Sequence, residues 1–136
     1  MTSPMNAPVV IDRFITNIAA ADVHASAEFY KALFQFNIAF ESDWFIQLTT
    51  DNKDFELGII QADHELLPAA FRGKPLGIYL TFVVADLAPV IAQAKAHGYE
   101  VVQAPELTFY GQLRALIKDP GGVLVDISAV DANAAP

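Results

Sequence analysis

The chain contains no cysteine among its 136 residues, and only 18% of the residues are charged. The absence of cysteine excludes disulfides, thiolate metal ligands and a cysteine nucleophile, and it favours a reduced, cytoplasmic setting. No apolar run approaches the roughly 20 residues that a membrane-spanning helix requires. Sixteen acidic residues against eight basic ones give a net charge of −8 without a basic patch, so we expect neither a nucleic-acid nor a membrane partner.

Several common catalytic motifs are also missing. The sequence has no phosphate-binding loop and no GxSxG or HExxH pattern. Its three histidines, His24, His64 and His97, are spread over two predicted helices and a connecting segment, and no two of them have metal-ligand spacing. We therefore interpret them as ordinary surface residues.

What is present is an order of elements that occurs twice. In each half an apolar strand is followed by an aspartate, an amphipathic helix and three further strands. The aspartates, Asp22 and Asp86, are predicted to be N-caps, and Gln35 and Gly98 are predicted to be left-handed residues that end the helices. The predicted helices are Val23–Phe34 and Leu87–His97; the predicted strands are Phe14–Ile18, Phe36–Phe40, Trp44–Leu48, Phe55–Ile60, Ile78–Val84, Tyr99–Val102, Leu113–Ile117 and Val123–Ile127.

The two halves superpose without a gap at their starts, because Asp22 and Asp86 are 64 residues apart. We predict one α+β domain over residues 1–136, with a module at 13–60, a linker at 61–76 and a second module at 77–130. The end segments Met1–Pro8 and Val130–Pro136 are expected to be irregular. A four-stranded sheet with one helix leaves its second face bare. That face must be covered by the other module, by a second subunit or by a ligand, which predicts a curved mixed sheet around a cavity. The hydrophobic fraction of 54% needs more cover than two helices provide, so we also expect a homodimer.

Each module has one carboxylate within an apolar strand near its end: Glu56 in FELGII and Asp126 in VLVDIS. A buried carboxylate needs a cation or hydrogen-bond donors, or it takes up a proton. One interpretation is that both line a cavity and bind a small organic molecule that is cationic or aromatic. The plain alternative is that both lie on solvent-exposed faces.

Strand alternation predicts which residues share the cavity face with these carboxylates. A ligand that is anionic instead would be anchored by Arg13 or Arg114. The predicted ligand-binding residues are Ile15, Asn17, Glu56, Tyr79 and Asp126 on the strands, with Trp44, Phe45 and Tyr110 as stacking surfaces.

The segments DVHASAEFYKALFQF, VVADLAPVIAQAKAHGYEVV and DPGGVLVDIS resemble the vicinal oxygen chelate superfamily, and the resemblance covers about residues 13–130. That superfamily includes glyoxalase I, extradiol dioxygenases and the fosfomycin and bleomycin resistance proteins. The resemblance implies paired βαβββ modules that form a cup, often across a homodimer.

The resemblance also implies a place for a divalent metal, held by the first and last strands of each module. Carried over, those positions are Ile15, Glu56, Tyr79 and Asp126, so that both expected histidines are replaced. We therefore expect no metal or other cofactor, with a divalent metal on Glu56 and Asp126 as the alternative.

Three functions remain open at this point. The first is a metal-free small-molecule binding or sequestering protein of the bleomycin-resistance type. The second is an enzyme, either a glyoxalase-like lyase or isomerase with Glu56 or Asp126 as base, or a dioxygenase with altered ligands. The third is an interaction module whose site has decayed.

Overall fold

The computed structural model describes residues 7–130, so the predictions for Met1–Pro8 and Val130–Pro136 lie almost entirely outside the described residues. No helix within this range is long and apolar enough to cross a bilayer. The elements are β1 (Thr16–Ala20), α1 (Val23–Phe34), β2 (Asn37–Glu41), β3 (Phe45–Thr49), β4 (Glu56–Gln61), β5 (Tyr79–Val83), α2 (Ala88–Ala96), β6 (Glu100–Leu107), β7 (Gln112–Lys118) and β8 (Leu124–Val130).

The strands form two four-stranded mixed sheets of the same topology. The first sheet has the order β1-β4-β3-β2 and the second has the order β5-β8-β7-β6. In each sheet the first and last strands of the module pair in parallel, and the remaining pairs are antiparallel. This arrangement confirms the predicted α+β fold with two βαβββ modules. The strands begin one or two residues later than predicted in most cases, so that Ile15 precedes β1.

The predicted bounds of α1 are confirmed. Asp22 caps the helix, and its Oδ1 accepts hydrogen bonds from the backbone N–H groups of His24 and Ala25, both at 3.1 Å. Gln35 ends the helix in the left-handed region, with φ of 58°. The non-glycine residue there costs about 1 kcal/mol relative to glycine.

The prediction that Asp86 is the N-cap of α2 is wrong by one residue. Leu87 occupies the cap position without a side-chain hydrogen bond, and Asp86 accepts one hydrogen bond from the Ala88 N–H at 3.0 Å. A cap at Asp86 would place Pro89 at the third helical position, where proline has no N–H to donate. Gly98 follows the helix with φ of 76°, as predicted.

The core lies between the helices and one face of each sheet. Ring stacking joins the modules there, because Phe34 of α1 and Phe82 of β5 lie 3.9 Å apart between centroids, at an interplanar angle of 12°. A second link is the hydrogen bond from the Tyr30 hydroxyl to Asp119 in the turn between β7 and β8. The opposite, outer faces of both sheets lie outside this core, and most of the predicted site residues are on or beside them.

Candidate functional site

The outer face of the first sheet forms the floor of a cavity of about 720 Å³. We call it the face cavity. Its roof is part of the connecting segment, residues 62–78, which leaves β4 and folds back over the sheet before β5 begins. The lining side chains come from the sheet (Ile15, Asn17, Ala19, Trp44, Phe45, Gln47 and Ile60) and from the connecting segment (Leu66, Leu67, Phe71, Lys74, Pro75 and Leu76).

Asn17 lies across the centre of the floor because its neighbour on β4 is a glycine. Asn17 and Gly58 are register partners in the parallel pair of β1 and β4. A Cβ atom added to Gly58 would be 1.9 Å from Asn17 Oδ1 and 3.1 Å from a ring carbon of Phe45. The glycine therefore lets a polar side chain and an aromatic ring converge on one point of the floor.

The tryptophan at the edge of the cavity is fixed by a histidine of the connecting segment. The rings of Trp44 and His64 stack with centroids 4.0 Å apart at 16°. His64 Nδ1 in turn accepts a hydrogen bond from the Leu66 N–H at 3.1 Å. This contact holds the roof against the sheet at one side of the cavity.

Glu56 lies at the end of the same face, where it is already neutralised. Arg13 Nε donates to it at 3.0 Å, Arg13 Nη2 makes a second contact, and Gln47 Nε2 donates at 3.0 Å. The hydrogen bonds from Arg13 lower the pKa of the Glu56 carboxyl below its ordinary value. Glu56 and Arg13 border a second cavity of about 920 Å³ between the first module and β5, which we call the seam cavity.

Asp126 belongs to the outer face of the second sheet, and it too has an arginine partner. Arg114 Nε donates to Oδ1 at 3.1 Å, Thr81 Oγ1 donates to Oδ2 at 3.0 Å, and Ser128 Oγ donates to Oδ1 at 3.1 Å. The residue is only 6% exposed. Both carboxylates therefore find their donors within the chain, and the solvent-exposed interpretation does not describe Asp126.

The two carboxylates do not occupy equivalent positions, contrary to the sequence prediction. Asn17 pairs with Gly58 in the first module, and Thr81, 64 residues after Asn17, pairs with Asp126 in the second. The position equivalent to Asp126 is therefore Gly58, two residues beyond Glu56. The prediction failed because it matched the carboxylates by their place near the end of each module, whereas strand register depends on pairing that local sequence does not encode.

The predicted site residues thus fall into two groups. Ile15, Asn17, Trp44 and Phe45 meet in the face cavity, with Glu56 beside it through Gln47. Tyr79 and Asp126 lie on the second sheet, and Tyr110 is half-exposed in the β6–β7 turn against Phe109, at 5.0 Å between ring centroids.

Sequence reasoning missed Gln47, Phe71 and Lys74 as lining residues. Alternation along β3 places Gln47 on the same face as Phe45, so this residue could have been found. Phe71 ends a short 3-10 turn at Ala69–Phe71, and Lys74 follows that turn. No local pattern indicates that the connecting segment folds over the first sheet.

The metal positions implied by the resemblance do not fit a divalent ion in this chain. Ile15 offers no donor, and the carboxylates of Glu56 and Asp126 are held by Arg13 and Arg114. Within residues 7–130 no three histidine, aspartate or glutamate side chains come together as a ligand set. A metal would have to displace two arginines without gaining an imidazole ligand.

Comparison with known proteins shows the family and the fold. No curated protein matches the chain. A glyoxalase/bleomycin resistance protein/dioxygenase family enzyme from Burkholderia phytofirmans PsJN is similar over 86% of this chain and 97% of its own, with 26% identity and a TM-score of 0.74.

Two further solved structures share the fold. A glyoxalase-related enzyme from Fulvimarina pelagi has 20% identity and a TM-score of 0.75, covering 92% of this chain and 96% of its own. Lactoylglutathione lyase from Agrobacterium tumefaciens has 17% identity and a TM-score of 0.64, covering 90% and 94%. The family model for the Glyoxalase/Bleomycin resistance protein/Dioxygenase superfamily matches residues 11–127. The chain is therefore a member of that superfamily.

Proposed function

We propose that this protein binds an aromatic small organic molecule in the face cavity, without a bound metal. The observation that carries the proposal is the cavity itself, whose volume of about 720 Å³ lies in the usual range for ligand sites, about 300–1,000 Å³. Its lining is mostly apolar, with the polar groups of Asn17, Gln47 and Lys74 among the rings. That composition is typical of a site that selects by shape and by a few hydrogen bonds.

The aromatic side chains around the cavity favour a flat ligand. Trp44 and Phe45 lie at one side, 5.8 Å apart between centroids, and the exposed ring of Phe71 belongs to the roof. A planar ring inserted between roof and floor would remove its own apolar surface and that of Phe71 from water. Each Å² of apolar surface buried contributes about 25 cal/mol, and each aromatic pair adds about 0.5–1.5 kcal/mol.

The ion pairs weaken the argument for a cationic ligand. A cationic ligand would need Glu56 and Asp126 to lack cationic partners, and each already accepts hydrogen bonds from an arginine. The same contacts with arginine also disfavour Glu56 or Asp126 as a general base. The lowered pKa of Glu56 makes it a weaker base, and reaching a substrate would require breaking the contact with Arg13.

An enzymatic function is the second candidate, favoured by the likeness to the 26%-identical family enzyme from Burkholderia phytofirmans PsJN. It would be a lyase, isomerase or oxygenase reaction that uses different groups from those of the metal-dependent relatives. Turnover of any compound that binds, followed by mass spectrometry of the mixture, distinguishes an enzyme from a binding protein.

We also propose that a second copy of the chain covers the outer face of the second sheet. Tyr79, Val83 and Val130 project from this face and are each more than half exposed. An isologous contact between two such faces would bury them together.

The binding function is tested with naphthalene-2-carboxamide, a neutral planar probe, by quenching of Trp44, which is the only tryptophan. The probe at 100 times its dissociation constant should stabilise the protein by about 2.7 kcal/mol in thermal unfolding. Ile60→Tyr, which narrows the cavity without adding a second tryptophan, should abolish both effects, whereas Phe109→Ala in a fully exposed position outside the cavity lining should preserve them.

Dialysis against a chelator should leave the affinity unchanged, and elemental analysis of tag-free protein should find no stoichiometric transition metal. The proposal would be refuted if no probe in a set of planar compounds quenched Trp44 fluorescence or stabilised the protein in thermal unfolding. Binding that survives Ile60→Tyr would also refute it, because the ligand would then lie elsewhere.

A further inference from the structure

Lys74 is the one charged side chain among the residues that line the face cavity. It belongs to the roof, after Gly73, whose N–H donates to the Ala62 carbonyl and so fixes the path of the segment next to the lysine. Within residues 7–130, Lys74 forms no ion pair. Its side chain is exposed, so a ligand can reach it from solvent.

No carboxylate lines the face cavity to compete for this lysine. Glu56, the nearest acidic residue along the floor, is separated from the cavity by Gln47 and is held by Arg13. Both arginines that the sequence offered for an anionic ligand, Arg13 and Arg114, are committed to carboxylates. Among the residues that line the face cavity, Lys74 is therefore the one cation that a ligand can meet.

The floor supplies a second polar group. Asn17 lies over Gly58 in the same cavity, and its amide can donate and accept hydrogen bonds. A ligand that places a ring between roof and floor can therefore direct a polar substituent toward an ammonium group and an amide. A carboxylate can accept a hydrogen bond from either group, whereas an amidinium or ammonium substituent would meet the like charge of Lys74.

On this basis, and resting on the function proposed above, we propose that the natural ligand is a planar aromatic acid whose carboxylate pairs with Lys74. The cavity of about 720 Å³ is large for a single ring, which points to a fused or extended ring system. The net charge of −8 opposes the approach of such an anion from a distance. The local charge of Lys74 must therefore provide the selectivity, and the preference should weaken as salt is raised because the lysine is exposed.

The test compares three probes that share one ring and differ in charge: naphthalene-2-carboxylate, naphthalene-2-carboxamide and naphthalene-2-carboxamidine. Isothermal titration calorimetry on the full chain at low ionic strength should rank the carboxylate tightest, by about tenfold over the carboxamide, with the amidine weakest. The factor reflects one hydrogen bond to a charged group, discounted because Lys74 is exposed.

Lys74→Met keeps the aliphatic length but removes the charge, so it should erase the preference for the carboxylate and leave the carboxamide affinity within about twofold. Lys74→Arg should retain most of the preference. Lys95→Met, on the exposed surface of α2, changes the net charge equally and should leave the ranking intact. This matched control separates the local contact from the overall field.

Each contrary outcome has a distinct meaning. Equal affinities for carboxylate and carboxamide in the native protein would overturn the inference while leaving the binding function in place. A carboxylate preference that persists in Lys74→Met would also overturn it, because another group would then hold the anion. Failure of all three probes to bind would refute the binding function and this inference with it.

Discussion

The hydrogen bond between Tyr30 and Asp119 joins the two modules through the interior, and it gives the sharpest test of how they are held together. Tyr30 of α1 is fully buried, and its hydroxyl donates to Asp119 Oδ2 at 2.6 Å. The other oxygen of Asp119 accepts from the Val123 N–H at 2.8 Å, which organises the turn before β8. Tyr30→Phe removes one donor and leaves a buried carboxylate oxygen without its partner.

The expected cost at pH 7 is about 1.5–3 kcal/mol of unfolding free energy, the value of a buried hydrogen bond to a charged group. Burial is the largest influence on Asp119 and raises its pKa above the ordinary value, while the bond from Tyr30 lowers it. The folded protein therefore binds this proton more tightly than the unfolded chain does. The ionised carboxyl costs stability above its folded pKa, and that cost disappears as the pH falls toward the ordinary value.

Removing the Tyr30 hydroxyl raises the pKa of Asp119 further. On acidification the variant therefore gains more unfolding free energy than the native protein does. The loss caused by Tyr30→Phe should therefore be largest at neutral pH and should shrink to about 1 kcal/mol or less near pH 4.5. Urea unfolding followed by circular dichroism at both pH values measures it. Tyr110→Phe, which removes an exposed hydroxyl, serves as the control.

A loss below about 0.5 kcal/mol at pH 7 would show that the bond contributes little to the junction. A loss that grows on acidification would reverse the assigned direction of the Asp119 pKa. Either result would refute the reasoning.

Three further outcomes are expected. Gly58→Ala should destabilise the protein by about 1–3 kcal/mol in urea unfolding, because the new methyl group collides with Asn17, and Asn17→Ala in that background should restore part of the loss. Arg13→Met should raise the pKa of Glu56 toward its ordinary value in a carboxyl NMR titration, and an unchanged pKa would contradict the pairing. Light scattering at micromolar protein should give about twice 14.8 kDa, and Val83→Lys should return the mass to that of a monomer.

The sequence predicts the helices and the module order well because those signals are local. Asp22 and the buried aromatic stripe of α1 are sufficient to place both ends of that helix. An aspartate does not by itself predict where α2 begins. Pro89 has no N–H group for a capping side chain to accept from, so its position in the first turn also decides which residue is the N-cap. The strands are found by their apolar runs, but their ends depend on pairing and shift by a residue or two.

The site is harder to predict because its contacts cross long stretches of sequence. Arg13 and Glu56 are 43 positions apart and meet only because β1 and β4 pair in parallel. The contact between Arg114 and Asp126 is easier to predict from the sequence. The two residues lie on adjacent strands joined by the turn at 119–122, and that turn sets the strand register. Nothing in the local pattern indicates that Lys74 returns to the first sheet, because a connecting segment carries no periodicity.

The connecting segment also gives the duplicated fold an asymmetry in ligand stoichiometry. The βαβββ unit occurs twice, and each unit presents an outer sheet face, but within residues 7–130 a connecting segment lies over the first of these faces only. Duplication of the module therefore does not duplicate the face cavity. The two outer faces are thus chemically different surfaces, so a ligand of the first face has no matching position on the second.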